Sequence, residues 1–158
     1  MENLEVSLDF LEFPPAHTRY GQNISPKITI TGLDSSSVAV MVFNPSMKDV
    51  LSYCTWLIWD LAPQQVIPPG IPHGKNVTEP VSALQGTNDA GEIGYTGPCP
   101  RPGQMDRYLF RVYGLDDFLE ISGGSKKQDL HNAMHDHIIQ YGGTEAVASR
   151  AAPGKLVM

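Results

Sequence analysis

The sequence predicts an all-β protein with one helix near its carboxyl end. Short segments that either alternate apolar and polar residues or are continuously apolar recur along most of the chain. Thirteen prolines and fifteen glycines separate these segments without any repeat, which is typical of many short strands joined by shaped loops. Only residues 126–141 show the apolar spacing of an amphipathic helix.

Length and composition limit the organisation of the chain and its partners. A chain of 158 residues is about one domain long, so we expect residues 1–158 to form a single domain. The net charge is −6, and Lys126-Lys127 is the only adjacent basic pair, so nucleic-acid binding is not expected.

Nothing in the sequence indicates export or a membrane span. The first residues, Met1 to Glu5, are acidic and lack the apolar core of a signal peptide, and no apolar run approaches membrane-spanning length. Two cysteines, Cys54 and Cys99, are too few for a disulfide framework. We therefore expect a cytoplasmic protein.

Four strands are predicted in the first part of the chain. Residues 4–10 alternate apolar and polar side chains, and residues 27–30 begin a second strand after a loop. Residues 38–43 are almost continuously apolar, which indicates a central strand covered on both faces. Residues 53–61 form the next strand, in which strict alternation places Thr55, Leu57 and Trp59 on one face and Cys54, Trp56 and Ile58 on the other.

A loop rich in glycine and proline occupies residues 86–103 and leads into a predicted strand at residues 108–113. Glycines permit close approach of the backbone and prolines fix φ, so the loop is expected to hold one shape and form a pocket wall. Gly91, Gly94 and Gly97 are three residues apart, which fits neither a dinucleotide motif nor a P-loop. A nucleotide site is therefore not expected.

The predicted helix at residues 126–141 has a buried stripe and is followed by Gly142-Gly143 as a stop signal. His131 and His135 are four residues apart, as two zinc ligands are on a helix, but no Glu follows His131. We expect a solvated pair of histidines and a packed His137 on the stripe, without a metal.

No catalytic signature is present. The sequence has no Gly-x-Ser-x-Gly motif and no locally arranged nucleophile and base. We therefore expect a protein that is not an enzyme and needs no cofactor.

Several motifs resemble the phosphatidylethanolamine-binding protein family, which includes the Raf-kinase-inhibitor proteins and their bacterial and archaeal relatives. The most specific is Gly-Tyr-Thr-Gly-Pro-Cys-Pro at residues 94–100. It is accompanied by Asn-Asp-Ala-Gly at residues 88–91, Arg107-Tyr108, Val-Tyr-Gly-Leu-Asp at residues 112–116, and Gly-Gln-Asn-Ile-Ser-Pro at residues 21–26. A helix containing Met134 and His137 is similar to that of prokaryotic members. The resemblance implies a two-sheet Greek-key β-sandwich with a C-terminal helix.

The resemblance also implies a small pocket that binds anions or phosphate head groups. Carried over position by position, its lining is Asn44, Ser46, Thr55, Gly97, Pro98, Pro100, Asp106 and Tyr108. Asn44 and Ser46 replace both carboxylates of the family's Asp-Pro-Asp motif, while Thr55 and Asp106 replace two histidines. Either the pocket still binds an anion through backbone N–H groups and neutral donors, or it has changed its ligand or lost binding. An ionised Asp106 would repel an anion.

The expected function is that of a non-enzymatic binding or regulatory protein for a small anionic or polar ligand. The alternative is a protein inhibitor of a serine protease or a kinase that acts through its surface, as some members of the family do. Prokaryotic relatives often form dimers, so the resemblance also allows a homodimer.

Overall fold

The computed structural model describes residues 4–45 and 52–151. These residues contain ten strands, one α-helix and a short 3₁₀ helix at Pro15–His17. The strands are β1 (Glu5–Ser7), β2 (Ile28–Thr31), β3 (Ser37–Asn44), β4 (Tyr53–Leu61), β5 (Val66–Ile67), β6 (Asn76–Val77), β7 (Ala83–Thr87), β8 (Met105–Leu115), β9 (Gly124–Lys126) and β10 (Ile138–Ser149), and the helix is α1 (Lys127–Met134).

The strands form two sheets, as predicted. The small sheet has the order β1-β2-β5, and the large sheet has the order β10-β8-β3-β4-β7-β6 with β9 added parallel to β7. Sequence-adjacent strands β3 and β4 pair directly, whereas β8 and β10 pair on the other side of β3 after long connections. The strands predicted at residues 53–61 and 108–113 are confirmed as β4 and as part of β8.

Two apolar clusters cover the two faces of the large sheet. The cluster between the sheets includes Ile28, Val40, Trp56 and Phe110, and the cluster under α1 includes Ala39, Met41, Leu57, Leu115 and Leu130. Strand β3 contributes to both, which confirms a central strand covered on both faces. Its residues are almost continuously apolar because each face of the strand packs against an apolar cluster.

A β-bulge in β4 overturns the predicted alternation. Val42 pairs with Trp56 but the next residue, Phe43, pairs with Cys54, so Thr55 is an extra residue on its strand. Beyond this bulge Cys54 joins the cluster under α1, while Trp56 belongs to the cluster between the sheets. The prediction that Cys54 and Trp56 share a face is therefore wrong, because alternation holds only where the register is continuous.

The predicted helix at residues 126–141 is wrong in its second half. Helix α1 ends at Met134, the backbone of His135 is no longer helical, and Asp136 adopts a φ of +71°. Residues from Ile138 onward pair with β8 as far as Ser149. Gly142 and Gly143, predicted as a stop signal, instead lie inside β10. The apolar residues before them fit both a helical and a strand periodicity, and pairing with β8 decides for the strand.

The same change moves His137 out of the predicted stripe. Its side chain is half-exposed, and its Nδ1 lies 2.8 Å from Oδ1 of Asp116. Residues 144–149, which follow the two glycines, form the second part of β10. Within the described ranges no helix has the length and apolar character needed to cross a membrane.

Candidate functional site

The candidate site lies where the end of β3 and the starts of β4 and β8 meet. Asn44, the last residue of β3, pairs with Tyr53 at the start of β4, and the neighbouring Phe43 pairs with Leu109 of β8. The side-chain amide of Asn44 donates a hydrogen bond from Nδ2 to Oη of Tyr108 at 3.2 Å. Both residues are buried, with 2% and 4% of their surface exposed.

The hydroxyl of Tyr108 is held as a neutral donor. Burial raises the pKa of Tyr108, the negative charge of Asp106 raises it further, and the hydrogen bond from Asn44 only partly opposes them. The tyrosine ring also packs edge-on against Phe13, with centroids 5.5 Å apart.

Among the residues that the structure describes, no acceptor takes the hydrogen of this hydroxyl. Because Asn44 donates to the hydroxyl oxygen, the phenolic hydrogen of Tyr108 is left for an acceptor. Within residues 4–45 and 52–151, no acceptor lies within hydrogen-bonding distance of it. A buried O–H with this capacity suits a ligand that accepts a hydrogen bond.

The glycine-rich loop is shaped by Asn88, which is 4% exposed. Its Nδ2 lies 3.0 Å from the carbonyl oxygens of Thr55 and Gly94 and 2.8 Å from Oγ1 of Thr96. Its Oδ1 accepts hydrogen bonds from the N–H groups of Ala90 at 2.9 Å and Glu92 at 3.1 Å. One buried amide therefore closes the turn at residues 88–96 and ties it to β4.

The Gly-Pro segment is fixed from its other side by residues near the amino end. The N–H of Gly97 donates to Oδ1 of Asn23 at 2.8 Å, and the carbonyl oxygen of Pro98 accepts from the N–H of Arg19 at 2.9 Å. A Cβ on Gly97 would overlap the carbonyl oxygen of His17, so the close approach requires glycine here.

Thr55 contributes to the loop mainly through its backbone. Its carbonyl oxygen accepts the N–H of Thr96 at 3.0 Å. Its side chain is 3% exposed, and Oγ1 lies 3.5 Å from the carbonyl oxygen of Val42, a long hydrogen bond. The bulge at Thr55 thus brings the glycine-rich loop against the edge of β4.

Trp56 lies fully buried behind the loop. Its Nε1 donates to Oε1 of Gln85 at 2.8 Å, and the Gln85 amide donates to the carbonyl oxygens of Pro72 at 2.9 Å and Gly74 at 3.1 Å. The ring of Tyr95 packs edge-on against Trp56 at 5.6 Å. The tryptophan therefore reports on the loop, although it does not line an open surface.

The structure brings several predicted site residues together. Tyr108 contacts Asn44 directly, and the charge of the nearby Asp106 acts on its hydroxyl. In the Gly-Pro segment, Pro98 and Pro100 are buried, whereas Cys99 between them is exposed. The predicted Ser46 lies outside the described residues.

Sequence reasoning missed three residues that organise the site. Asn88 and Asn23 lay within recognised motifs without an assigned role, and Gln85 was not singled out. A polar residue at each of these positions gives no signal of burial, because the partners are carbonyl and amide groups far away in the sequence. Only Asn23 carries a backbone clue, a φ of +58°, which asparagine tolerates.

His131 on α1 and His135 at its C-terminal end are both exposed. His135 lies 3.6 Å from Asp136, in a pair that is largely exposed to solvent. No group of three or more metal-ligating side chains occurs among the residues that the structure describes.

The sequence is similar to those of several known proteins. A family model described as phosphatidylethanolamine-binding protein matches residues 7–148. A UPF0098 protein of Pyrococcus horikoshii is 39% identical over 135 residues, which are 83% of this chain and 68% of that protein. A UPF0098 protein of Methanothermobacter thermautotrophicus is 33% identical over 129 residues, covering 80% of this chain and 83% of that protein.

Two crystal structures share the architecture. A phosphatidylethanolamine-binding protein homolog from Chlamydia trachomatis superimposes with a TM-score of 0.75 at 26% identity, covering 94% of this chain and 97% of that one. The YbcL protein of E. coli, described as a member of the mammalian family, gives a TM-score of 0.80 at 22% identity, with 92% and 98% covered. The second likeness shows the shared fold.

Proposed function

The chain belongs to the phosphatidylethanolamine-binding protein family, and from that premise we propose that it is a non-enzymatic binding protein. Its small polar pocket lies between Asn44, Tyr108 and the loop at residues 97–100. The ligand is a small molecule with an anionic or polar group that accepts a hydrogen bond. No step of bond making or breaking is assigned to the site.

The observation that carries this proposal is the hydrogen bond from Nδ2 of Asn44 to Oη of Tyr108 at 3.2 Å. It supports the proposal because the buried tyrosine hydroxyl then has a hydrogen that no described residue accepts. Burial also keeps the pKa of Tyr108 above its ordinary value, so the donor is present throughout the physiological range of pH. The loop offers a fixed wall, since Asn23, Arg19 and Asn88 hold its backbone in place.

The charge of Asp106 selects among acceptors. Asp106 is half-buried and acts on the Tyr108 hydroxyl through its charge. Each negative charge on a ligand at Tyr108 adds repulsion from this carboxylate. The pocket therefore favours a monoanion such as acetate, or a zwitterion such as phosphoethanolamine, over inorganic phosphate.

The proposal is tested by titrating tryptophan fluorescence, with calorimetry as a second readout, using acetate, phosphoethanolamine and phosphate. We expect Tyr108→Phe to weaken binding about tenfold, because a charged ligand loses one hydrogen bond. Tyr113→Phe is the matched control, since Tyr113 lies on the same strand but on the opposite face. Asp106→Asn should improve phosphate binding more than acetate binding.

A flat response of the wild type to all three probes would eliminate the pocket. Equal binding by wild type and Tyr108→Phe would also contradict the assigned donor. A protein that inhibits a serine protease or kinase equally well with and without the Tyr108 hydroxyl would be acting through its surface instead.

A further inference from the structure

The face of the large sheet that packs against α1 carries a second concavity, which reaches Leu4 at the β10 edge of that sheet. A groove of about 770 Å³ is lined by Arg111, Tyr113, Ile138, Tyr141 and the two glycines of β10, together with Leu4. A second cavity of about 300 Å³ adjoins it, because Arg111 and Tyr113 line both. Volumes of this size are typical of sites for small molecules.

Arg111 is the charged group at the centre of this surface. Its guanidinium lies over the ring of Phe43, 5.6 Å from the centroid. In the described part of the chain, no carboxylate lies within ion-pair distance of it. Arg107, on the same face of the same strand, is neutralised by Glu145 through contacts of 3.3 Å from Nε and 3.0 Å from Nη2.

The register of β8 and β10 explains the difference between the two arginines. Glu145 stands opposite Leu109, beside Arg107, whereas the residue opposite Arg111 is Gly143. A Cβ on Gly143 would lie 2.7 Å from the carbonyl oxygen of Phe110, so a side chain does not fit there. The missing side chain both opens the groove and leaves the arginine without a partner on β10.

The neighbouring cation on α1 does not play the same part. Nζ of Lys127 lies 2.7 Å from Oδ2 of Asp89 and donates to the carbonyl oxygen of Ser52 at 2.8 Å. Its charge is therefore already engaged in holding α1 against the start of β4. Of these two cations, only Arg111 has no carboxylate partner among the described residues.

We propose that the groove binds a small amphipathic monoanion. Its carboxylate pairs with the Arg111 guanidinium, whose planar fork matches a carboxylate in two parallel hydrogen bonds. Its apolar part lies along Tyr113, Tyr141 and Ile138. The net charge of −6 disfavours ligands with several negative charges, so a single charge joined to an apolar body fits this surface best.

This site is separate from the pocket at Tyr108. Successive side chains of a strand point to opposite faces, and Tyr108 belongs to the cluster between the sheets while Tyr113 contacts the cluster under α1. Arg111, at an odd position of β8 like Tyr113, faces away from Tyr108. A ligand could therefore occupy either site without touching the other.

The test uses octanoate as the probe and 1-octanol as its uncharged analogue, with binding followed by calorimetry and by amide shifts in two-dimensional NMR. We expect Arg111→Met to weaken octanoate binding about tenfold or more, since one charge-assisted pair is lost. Binding of 1-octanol should be the same in wild type and Arg111→Met. The control Arg107→Met removes an arginine that already has a partner, so octanoate affinity should stay within about twofold. Shifts should concentrate at residues 41–43, 111–113 and 141–143.

Three results would overturn the inference. One is equal octanoate binding by wild type and Arg111→Met, and another is binding that survives Arg111→Met but is lost in Tyr108→Phe, which would place the probe in the other pocket. The third is a wild type that shows no saturable octanoate binding. If Arg111→Glu then dissociates a dimer, a second copy of the chain covers this face instead of a small ligand.

Discussion

Replacing Asn88 by alanine should destabilise the fold and loosen the glycine-rich loop together. The amide has two hydrogens for three acceptors, so it makes two full hydrogen bonds as donor and accepts two more from backbone N–H groups. Four bonds at about 1 kcal/mol each set an upper value of about 4 kcal/mol. Two of the groups that lose Asn88 keep another partner. The N–H of Ala90 can bond to water because Ala90 is exposed, and the carbonyl oxygen of Thr55 still accepts from the N–H of Thr96. We therefore expect a loss of about 2–4 kcal/mol in the free energy of unfolding.

Urea denaturation measures this change, with a constant slope indicating that the unfolding transition itself is unaltered. Asn88→Asp keeps the acceptor oxygen but places a carboxylate oxygen against the carbonyls of Thr55 and Gly94, so it should destabilise at least as much. Asn132→Ala, at an exposed position of α1, is the matched control and should change stability by less than about 0.5 kcal/mol. A loss below about 1 kcal/mol for Asn88→Ala, or a milder effect of Asn88→Asp, would refute the assigned role of the amide.

Three further predictions concern single positions. Gly97→Ala should lower the free energy of unfolding by about 2 kcal/mol or more, because its Cβ overlaps a backbone carbonyl oxygen. The Cβ of Gly91→Ala meets no atom within 4 Å, so that variant should lose only about 1 kcal/mol, for its φ of +86°. Thermal denaturation measures both changes. Iodoacetamide should label the exposed Cys99 in the folded protein and Cys54 only after unfolding, because burial raises the pKa of the Cys54 thiol to about 12. Rapid labelling of both thiols in the folded protein would contradict this burial. The hydrogen bond that His137 donates to Asp116 raises the pKa of His137, so the pair stabilises the fold below the ordinary histidine pKa and loses that contribution as pH rises through the folded value. The difference in Tm between wild type and Asp116→Asn should therefore be larger near about pH 5 than near about pH 8, and a pH-independent difference would contradict the pairing.

The limits of prediction from sequence are visible at particular residues. Strand β4 was predicted over its whole length because its apolar run is bounded on both sides, but the bulge at Thr55 left no mark in the sequence. The second half of the predicted helix failed because Ile138 and Tyr141 fit two periodicities, and pairing with β8 decided between them. Tyr108 was predicted as a site residue from a family motif, while its partner geometry with Asn44 required β3 and β8 to be adjacent.

The amino-acid sequence by itself determined the class of the fold, the positions of β1 to β4 and β8, and the loop rich in glycine and proline that precedes β8, since these follow from local periodicity and from the conformational limits of glycine and proline. The tertiary structure alone decided which polar side chains are buried and which charges have partners. Asn88 gained its hydrogen bonds from distant backbone, and Arg111 lost a partner because the register of β10 set Gly143 opposite it. Register and burial depend on contacts between residues far apart in the chain, and such contacts leave no pattern that can be read locally.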